Sequence, residues 1–214
     1  MTDTRYKLVV FDFDGTLADS FPFFLEVFDT LADAHGFRRL ERDKLEMLRG
    51  YDIRQMLTHV GLPVWKAPRV AMHFKSLMGA SIGRIRLFDG AGATLEALAE
   101  AEVRLAIVSS NAAANVKAVL GPEHARLIDY TECGAALLGK RPRLRRILAK
   151  SGVAREDVLC VGDEARDIEA ANAEGMASGA VTWGYAAPEA LVKRKPTVMF
   201  SSFEEIVRCV RRSS

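Results

Sequence analysis

The chain has almost no net charge, no paired cysteines, no histidines at metal-binding spacing and no long apolar run. Each absence excludes a class of function. Lys and Arg number 30 against 28 Asp and Glu, a formal charge of +2, so no long-range field would gather nucleic acid. The one basic run, KRPRLRRILAK at 140–150, has Leu144, Ile147 and Leu148 at helical spacing, which is expected to leave its arginines on a solvated face. Cys133, Cys160 and Cys209 lie far apart without a CxxC pair, and buried free thiols in a reducing compartment are expected. His35, His59, His73 and His124 form no HxxxH or HExxH pattern, which argues against zinc. No apolar stretch approaches the roughly 20 residues of a membrane span. The start, MTDTRYK, mixes both charges and leads straight into a short apolar strand, unlike a signal peptide. A soluble, cytoplasmic protein is expected, with a small-molecule partner, no nucleic acid and no membrane; the oligomeric state stays open.

What is present is a set of short apolar runs: Leu8 to Phe11, Leu105 to Val108, Val158 to Val161 and Ala180 to Thr182. Each is bounded by Gly, Asp, Ser or a charged residue, and all but the last lead into a helical pattern. Continuous apolar runs of this length suit strands covered on both faces, so a doubly wound α/β core with a parallel sheet is expected. Between the first and second runs the chain is far longer than one crossover helix requires. From about Ala18 to Arg84 it carries helical stripes, beginning with Phe24, Leu25, Val27, Phe28 and Leu31, punctuated by Gly36 and Gly61-Leu-Pro63. The expected organisation is a core of residues 1–17 and 85–214 with a small all-helical insert at 18–84. A further helix is expected at Thr94 to Glu100, and a last one over Phe203 to Val210.

In open parallel sheets, ligands bind beyond the carboxyl ends of the strands. Those ends carry Asp12 and Asp14, then Ser109, Ser110 and Asn111, then Gly162, Asp163, Glu164 and Asp167, with Lys140 between the second and third groups. Two unit charges of like sign 4 Å apart repel by ~4 kcal/mol at an effective dielectric near 20, so these carboxylates call for a cation. Oxygen ligands in a small, partly hydrated site favour Mg²⁺. A divalent ion, a lysine, a small hydroxyl and the flexible Gly15 together suit a phosphoryl group. A carboxylate nucleophile would then split hydrolysis into two displacements, with the second carboxylate as acid and base.

The segment Asp12-Phe-Asp14-Gly-Thr16-Leu, with Ser109 in IVSSN, Lys140 in GKRPRL and the Gly162-Asp163 to Asp167 motif, resembles the haloacid dehalogenase superfamily of phosphohydrolases along almost the whole chain. The resemblance implies a Rossmann-like core with a helical cap between the first and second motifs. It implies Asp12 as nucleophile and metal ligand, and Asp14 as acid and base with its backbone carbonyl on the metal. Asp163 would be a further ligand, with Asp167 supporting the metal shell directly or through water. Ser109 and Lys140 complete the catalytic set, and Gly15, Thr16 and Asn111 line the phosphoryl site. Asp14 argues against dehalogenation, because halide leaves without a proton.

In the insert, LRGYDIRQML places Arg49 and Arg54 where relatives keep specificity residues, and an arginine fork suits a carboxylate or second phosphate. The segment WGYAAPEAL, Trp183 to Leu191, resembles phosphoglycolate phosphatases and favours 2-phosphoglycolate as substrate. Two other readings stand beside it: a sugar phosphomutase sharing every core motif, and a binding or regulatory relative that has lost turnover. Glu164, directly after Asp163, either joins the outer metal shell or points away.

Overall fold

The computed structural model describes residues 4–51, 53–134 and 139–211. In chain order the elements begin with β1 (Leu8–Phe11), β2 (Ala18–Asp19), α1 (Phe21–His35), α2 (Leu45–Arg49), α3 (Ile53–Val60) and α4 (Ala67–Ala80). They continue with β3 (Arg86–Leu87), α5 (Ala91–Glu100), β4 (Arg104–Val108), α6 (Ala113–Ala125), β5 (Tyr130–Glu132) and α7 (Arg141–Ser151). The last are β6 (Val158–Gly162), α8 (Ala165–Ala173), β7 (Ala177–Val181), α9 (Pro188–Val192), β8 (Val198–Phe200) and α10 (Phe203–Arg211).

The main sheet is parallel throughout, in the order β5-β4-β1-β6-β7-β8. The central runs Leu8–Phe11, Leu105–Val108 and Val158–Val161 are apolar along their length because both faces are covered. Val9, Phe11, Leu105, Ile107, Leu159 and Val161 face one core, which α5, α6 and α10 close with Leu95, Leu98, Val116, Leu120, Phe203, Ile206 and Val210. Leu8, Val10, Ala106, Val108, Val158 and Cys160 face the other, closed by Leu144 and Ile147 of α7 and Ala170 and Ala171 of α8. The alternation is the period of two that a pleated strand imposes. The expected α/β class therefore holds. The strand order reverses at β1 and β6, the central neighbours, which is where such sheets open a ligand crevice.

The sheet is wider than the apolar runs foretold. β7 begins at Ala177, because Ala177, Ser178 and Gly179 pair with Leu159, Cys160 and Val161 despite their weak apolar signal. Gly179 is small for a reason: a Cβ there would lie 2.5 Å from the Phe200 ring of the next strand. The edge strands β5 and β8 are three residues each: β5, Tyr-Thr-Glu, is too short and polar to stand out, and β8, Val-Met-Phe, is apolar but too short.

α1 to α4 fall between β2 and β3, which pair antiparallel where the chain leaves the sheet and returns. These helices bury a cluster of their own, with Phe28, Leu40, Leu48, Val60 and Leu62 at its centre. Phe23 of α1 and Met78 of α4 instead join the core beneath the sheet. No helix among the described residues is long and apolar enough to cross a membrane. Cys133, Cys160 and Cys209 form no disulfide with one another, but only Cys160 is buried, a correction for the other two.

Candidate active site

Asp12 follows β1 directly, and its N–H continues the parallel ladder onto the Val161 carbonyl at 2.8 Å. The chain then turns tightly around the fully buried Phe13, whose carbonyl accepts from Leu17 and Ala18 at 2.9 Å. Gly15 sits in that turn at φ +77°, and a Cβ on it would fall 2.3 Å from Asp163 Oδ2 and from the Tyr185 ring. Only glycine fits both the backbone and the space.

The turn brings the acidic residues of β1 and β6 together. Asp12, Asp163 and Asp167 are buried, with carboxylate oxygens within 4.8 Å of one another. Lys140 is the cation among them, 2.7 Å from Asp12 Oδ2 and paired also with Asp167 Oδ1. The second Asp167 oxygen accepts from the Glu164 N–H at 3.0 Å and so caps α8. Asp163 accepts from Thr16 Oγ1 at 2.7 Å and from the Tyr185 N–H at 2.8 Å. Burial pushes the Asp12 carboxyl up to about 7, against the pull of Lys140, and pushes Asp163 well above the usual carboxylate range. Three buried carboxylates facing one lysine are under-neutralised, and a hard divalent cation fits such an oxygen-only donor set. Glu164 pairs with Arg166, and its charge helps to raise Asp163.

Asp14 is outside that cluster. The Asn111 amide donates to both its carboxylate oxygens at 3.1 Å, and burial raises its pKa. Asn111 therefore grips the second aspartate, while its own Oδ1 accepts from the Ala112 N–H and from Asn115. Ser109 is buried at the end of β4, its Oγ accepting from the Asn111 N–H at 3.0 Å.

Arg143 corrects the expectation that the arginines of 140–150 are solvated. Arg141, Arg145 and Arg146 are indeed on the open face, paired with Glu174 and Glu132. Arg143, however, points inward and is only 5% exposed. It donates to the Ser109 carbonyl at 2.5 Å and to the Gly134 carbonyl, fixing the floor under Ser109. Its place beside Leu144 on the buried side of α7 was legible only as an ambiguous helical phase.

From the insert, Arg49 reaches the core. Its Nε donates to the Tyr185 carbonyl at 3.2 Å and its Nη2 to the Gly184 carbonyl at 2.9 Å, while its own carbonyl accepts from the Ala187 N–H at 2.9 Å. Arg54 is exposed on α3, and among the described residues no contact ties it to the carboxylates. The loop that Arg49 holds was not foreseen as part of the site. Trp183 donates from Nε1 to the Thr16 carbonyl at 3.1 Å, and the Tyr185 hydroxyl lies 3.0 Å from Ser20 Oγ. Phe21 and Phe24 of α1 meet the Tyr185 ring edge-on. One loop thus touches the Asp12 turn, Asp163 and two helices of the insert.

The profile of haloacid dehalogenase-like hydrolases matches residues 9–181. The chain belongs to this family. It is 30% identical over 205 residues to the phosphoglycolate phosphatase of Synechococcus elongatus, covering 95% of this chain and 97% of that protein. It is also 29% identical over 199 residues to the tyrosine-protein kinase PtkA of Mycobacterium tuberculosis, covering 90% of this chain and 68% of that one. Among solved structures, a haloacid dehalogenase-like hydrolase from Streptococcus pneumoniae superposes with a TM-score of 0.80 at 19% identity, covering 95% of this chain and 98% of that one. The last likeness speaks for the fold.

Proposed function

We propose that this hydrolase is a Mg²⁺-dependent phosphatase that cleaves a small phosphomonoester, with 2-phosphoglycolate the substrate of choice, through an aspartyl-phosphate on Asp12. Residues 1–17 and 85–214 act as the catalytic core, and residues 18–84 as a cap that excludes water when it closes. The observation that carries the reading is the buried Asp12, Asp163 and Asp167 cluster with Lys140 inside it and Asp14 held beside it by Asn111. The name borne by the Synechococcus relative supports the substrate.

Asp12, Asp163 and the backbone carbonyl of Asp14 would hold Mg²⁺, which when bound neutralises the carboxylates and the phosphoryl oxygens. Asp167 supports that shell and keeps Lys140 directed at Asp12. Asp12 attacks phosphorus in line as the bond to the leaving oxygen breaks, and Asp14 gives that oxygen its proton. The raised pKa of Asp14 favours its holding the proton beforehand. Water then attacks the aspartyl-phosphate, its proton passes to Asp14, phosphate leaves and the Asp12 carboxylate is restored. Lys140 offsets charge on Asp12 and phosphate throughout, and Ser109, on the floor set by Arg143, offers its hydroxyl to a phosphoryl oxygen. Gly15, Thr16 and Asn111 shape the pocket by permitting close approach, holding Asp163 and orienting Asp14.

The test is phosphate release from p-nitrophenyl phosphate with and without Mg²⁺, in the wild type and in Asp12→Asn. Metal-dependent release abolished by the substitution is expected. No release by the wild type with any divalent ion would sink the proposal. Isomerisation of a hexose phosphate without net phosphate release would replace it with a mutase.

A further inference from the structure

Of the two arginines that the sequence offers to a second anionic group, one is already engaged and the other is exposed. Arg49 spends Nε and Nη2 on the carbonyls of Tyr185 and Gly184 and Nη1 on Glu46, and Arg54 is exposed on α3. A different cation of the insert faces the site. α4 comes down on the residues that hold Asp14: Met78 Sδ lies 2.9 Å from Asn111 Nδ2, and Gly79 packs so closely on Asn115 that a Cβ would sit 3.4 Å from its Oδ1. Lys75 is one turn earlier on that same face, at the i,i+3 and i,i+4 positions, and side chains on a helix lean toward its N-terminus. It is half-buried, and among the described residues no carboxylate or carbonyl stands within hydrogen-bonding distance of its ammonium. The charges it feels belong to the site: Asp14 attracts it, whereas Arg143 and Arg166 repel it, and burial lowers its pKa. A partly desolvated ammonium without a partner is unfavourable until an anion arrives.

The inference rests on the phosphatase reading. In that reading Asp14 protonates the leaving oxygen, so the leaving group lies beside Asp14, on the side that Lys75 overlooks. The charge of the phosphoryl group is met elsewhere, by Lys140. We propose that Lys75 is the specificity-determining residue of the cap, pairing with a carboxylate carried close to the ester oxygen by a short hydroxy-acid leaving group.

The experiment compares 2-phosphoglycolate with ethyl phosphate, of similar size but with an uncharged leaving group, in the wild type, Lys75→Met and Lys75→Arg at saturating Mg²⁺. The wild type should prefer 2-phosphoglycolate by kcat/KM. In Lys75→Met the ratio of the two specificity constants should fall about 10- to 100-fold, the range of a lost charge-assisted hydrogen bond. The fall should come mainly through KM for 2-phosphoglycolate, and Lys75→Arg should restore most of the ratio. An unchanged ratio in Lys75→Met overturns the inference. So does a wild type that hydrolyses p-nitrophenyl phosphate yet prefers ethyl phosphate, a measurement that needs no variant to fold. Both results leave the phosphatase reading standing, whereas failure of the wild type on every ester removes that reading itself.

Discussion

Arg143→Met tests whether a buried guanidinium holds the floor of the site. The side chain satisfies two carbonyls, those of Ser109 at 2.5 Å and of Gly134, from a position that is 5% exposed. Methionine fills a similar volume but donates nothing. A buried acceptor left without a partner costs about 1–3 kcal/mol. Ser109 is buried, so its carbonyl bears the full cost, while Gly134 is half-buried and water can replace part of its loss. Against this, burying the guanidinium is itself unfavourable, as its lowered pKa indicates, and the variant escapes that cost. The net destabilisation is about 2–3 kcal/mol, which for a chain of this size lowers Tm by roughly 4–12 °C. Activity should fall further than stability implies. Ser109 hangs from the freed carbonyl, and a misplacement of about 1 Å in a reacting constellation costs on the order of 100-fold. Calorimetry and steady-state hydrolysis of p-nitrophenyl phosphate, both with Mg²⁺, measure the two effects. A Tm within about 2 °C of wild type together with unchanged kcat would refute the reasoning and return Arg143 to the solvated face.

Three further outcomes are expected. Gly15→Ala forces a side chain into a φ of +77° and against Asp163 and the Tyr185 ring, so Mg²⁺ affinity by titration calorimetry should fall at least about 10-fold; near-normal affinity would show that the turn yields. The Asp12 carboxyl, raised by burial from 3.8 to about 7, binds its proton more tightly in the folded protein. Its contribution to metal-free stability is therefore complete below about pH 4 and lost as pH rises through about 7, so the Tm gain on adding Mg²⁺ should be larger at pH 8 than at pH 5. A larger gain at pH 5 contradicts the sign. Arg49→Ala removes two bonds to the loop whose Tyr185 N–H holds Asp163, and should weaken Mg²⁺ about 3- to 10-fold and raise KM; an effect on KM with Mg²⁺ affinity unaltered would make Arg49 a substrate contact instead.

The parts of this molecule that were legible in the sequence are those where one physical demand acts on consecutive residues. β1, β6 and all of β4 after Arg104 are covered on both faces, so their positions are apolar or glycine and the strand ends are marked by the first polar residue. Those ends are where ligands bind, which is why Asp12, Ser109 and Asp163 could be picked out together. β7 escaped in its first half because its residues answer to a neighbour instead of to solvent, as Gly179 does to Phe200. Arg143 escaped for a related reason. Its helix alternates charge and apolarity so densely that an inward arginine and an outward one carry the same local pattern, and what separates them is a pair of carbonyls from β4 and the chain beyond β5.

The same reasoning explains why the sequence marks Arg49 as an anion contact, and marks residues 183–187 by likeness to relatives and not by the contacts they make. Composition pointed to an arginine near a glycine as a hand for an anion, yet its partners are backbone carbonyls, which every residue possesses and no sequence advertises. The loop it grips joins Thr16 to Trp183 and Ser20 to Tyr185 across more than a hundred positions, and Asp163 to Tyr185 across 22. Gly184 is required there because a Cβ would lie 2.1 Å from Asp163 Cβ, a constraint set by β6 and invisible in WGYAAPEAL itself. The loop therefore links the insert to Asp163 mechanically: moving α2 away breaks the Arg49 bonds and frees the backbone whose next N–H orients the carboxylate. If residues 18–84 move as a cap, opening and closing must then be felt at Asp163, and occupancy of the carboxylate cluster must in turn bias the cap, since coupling between two sites is reciprocal.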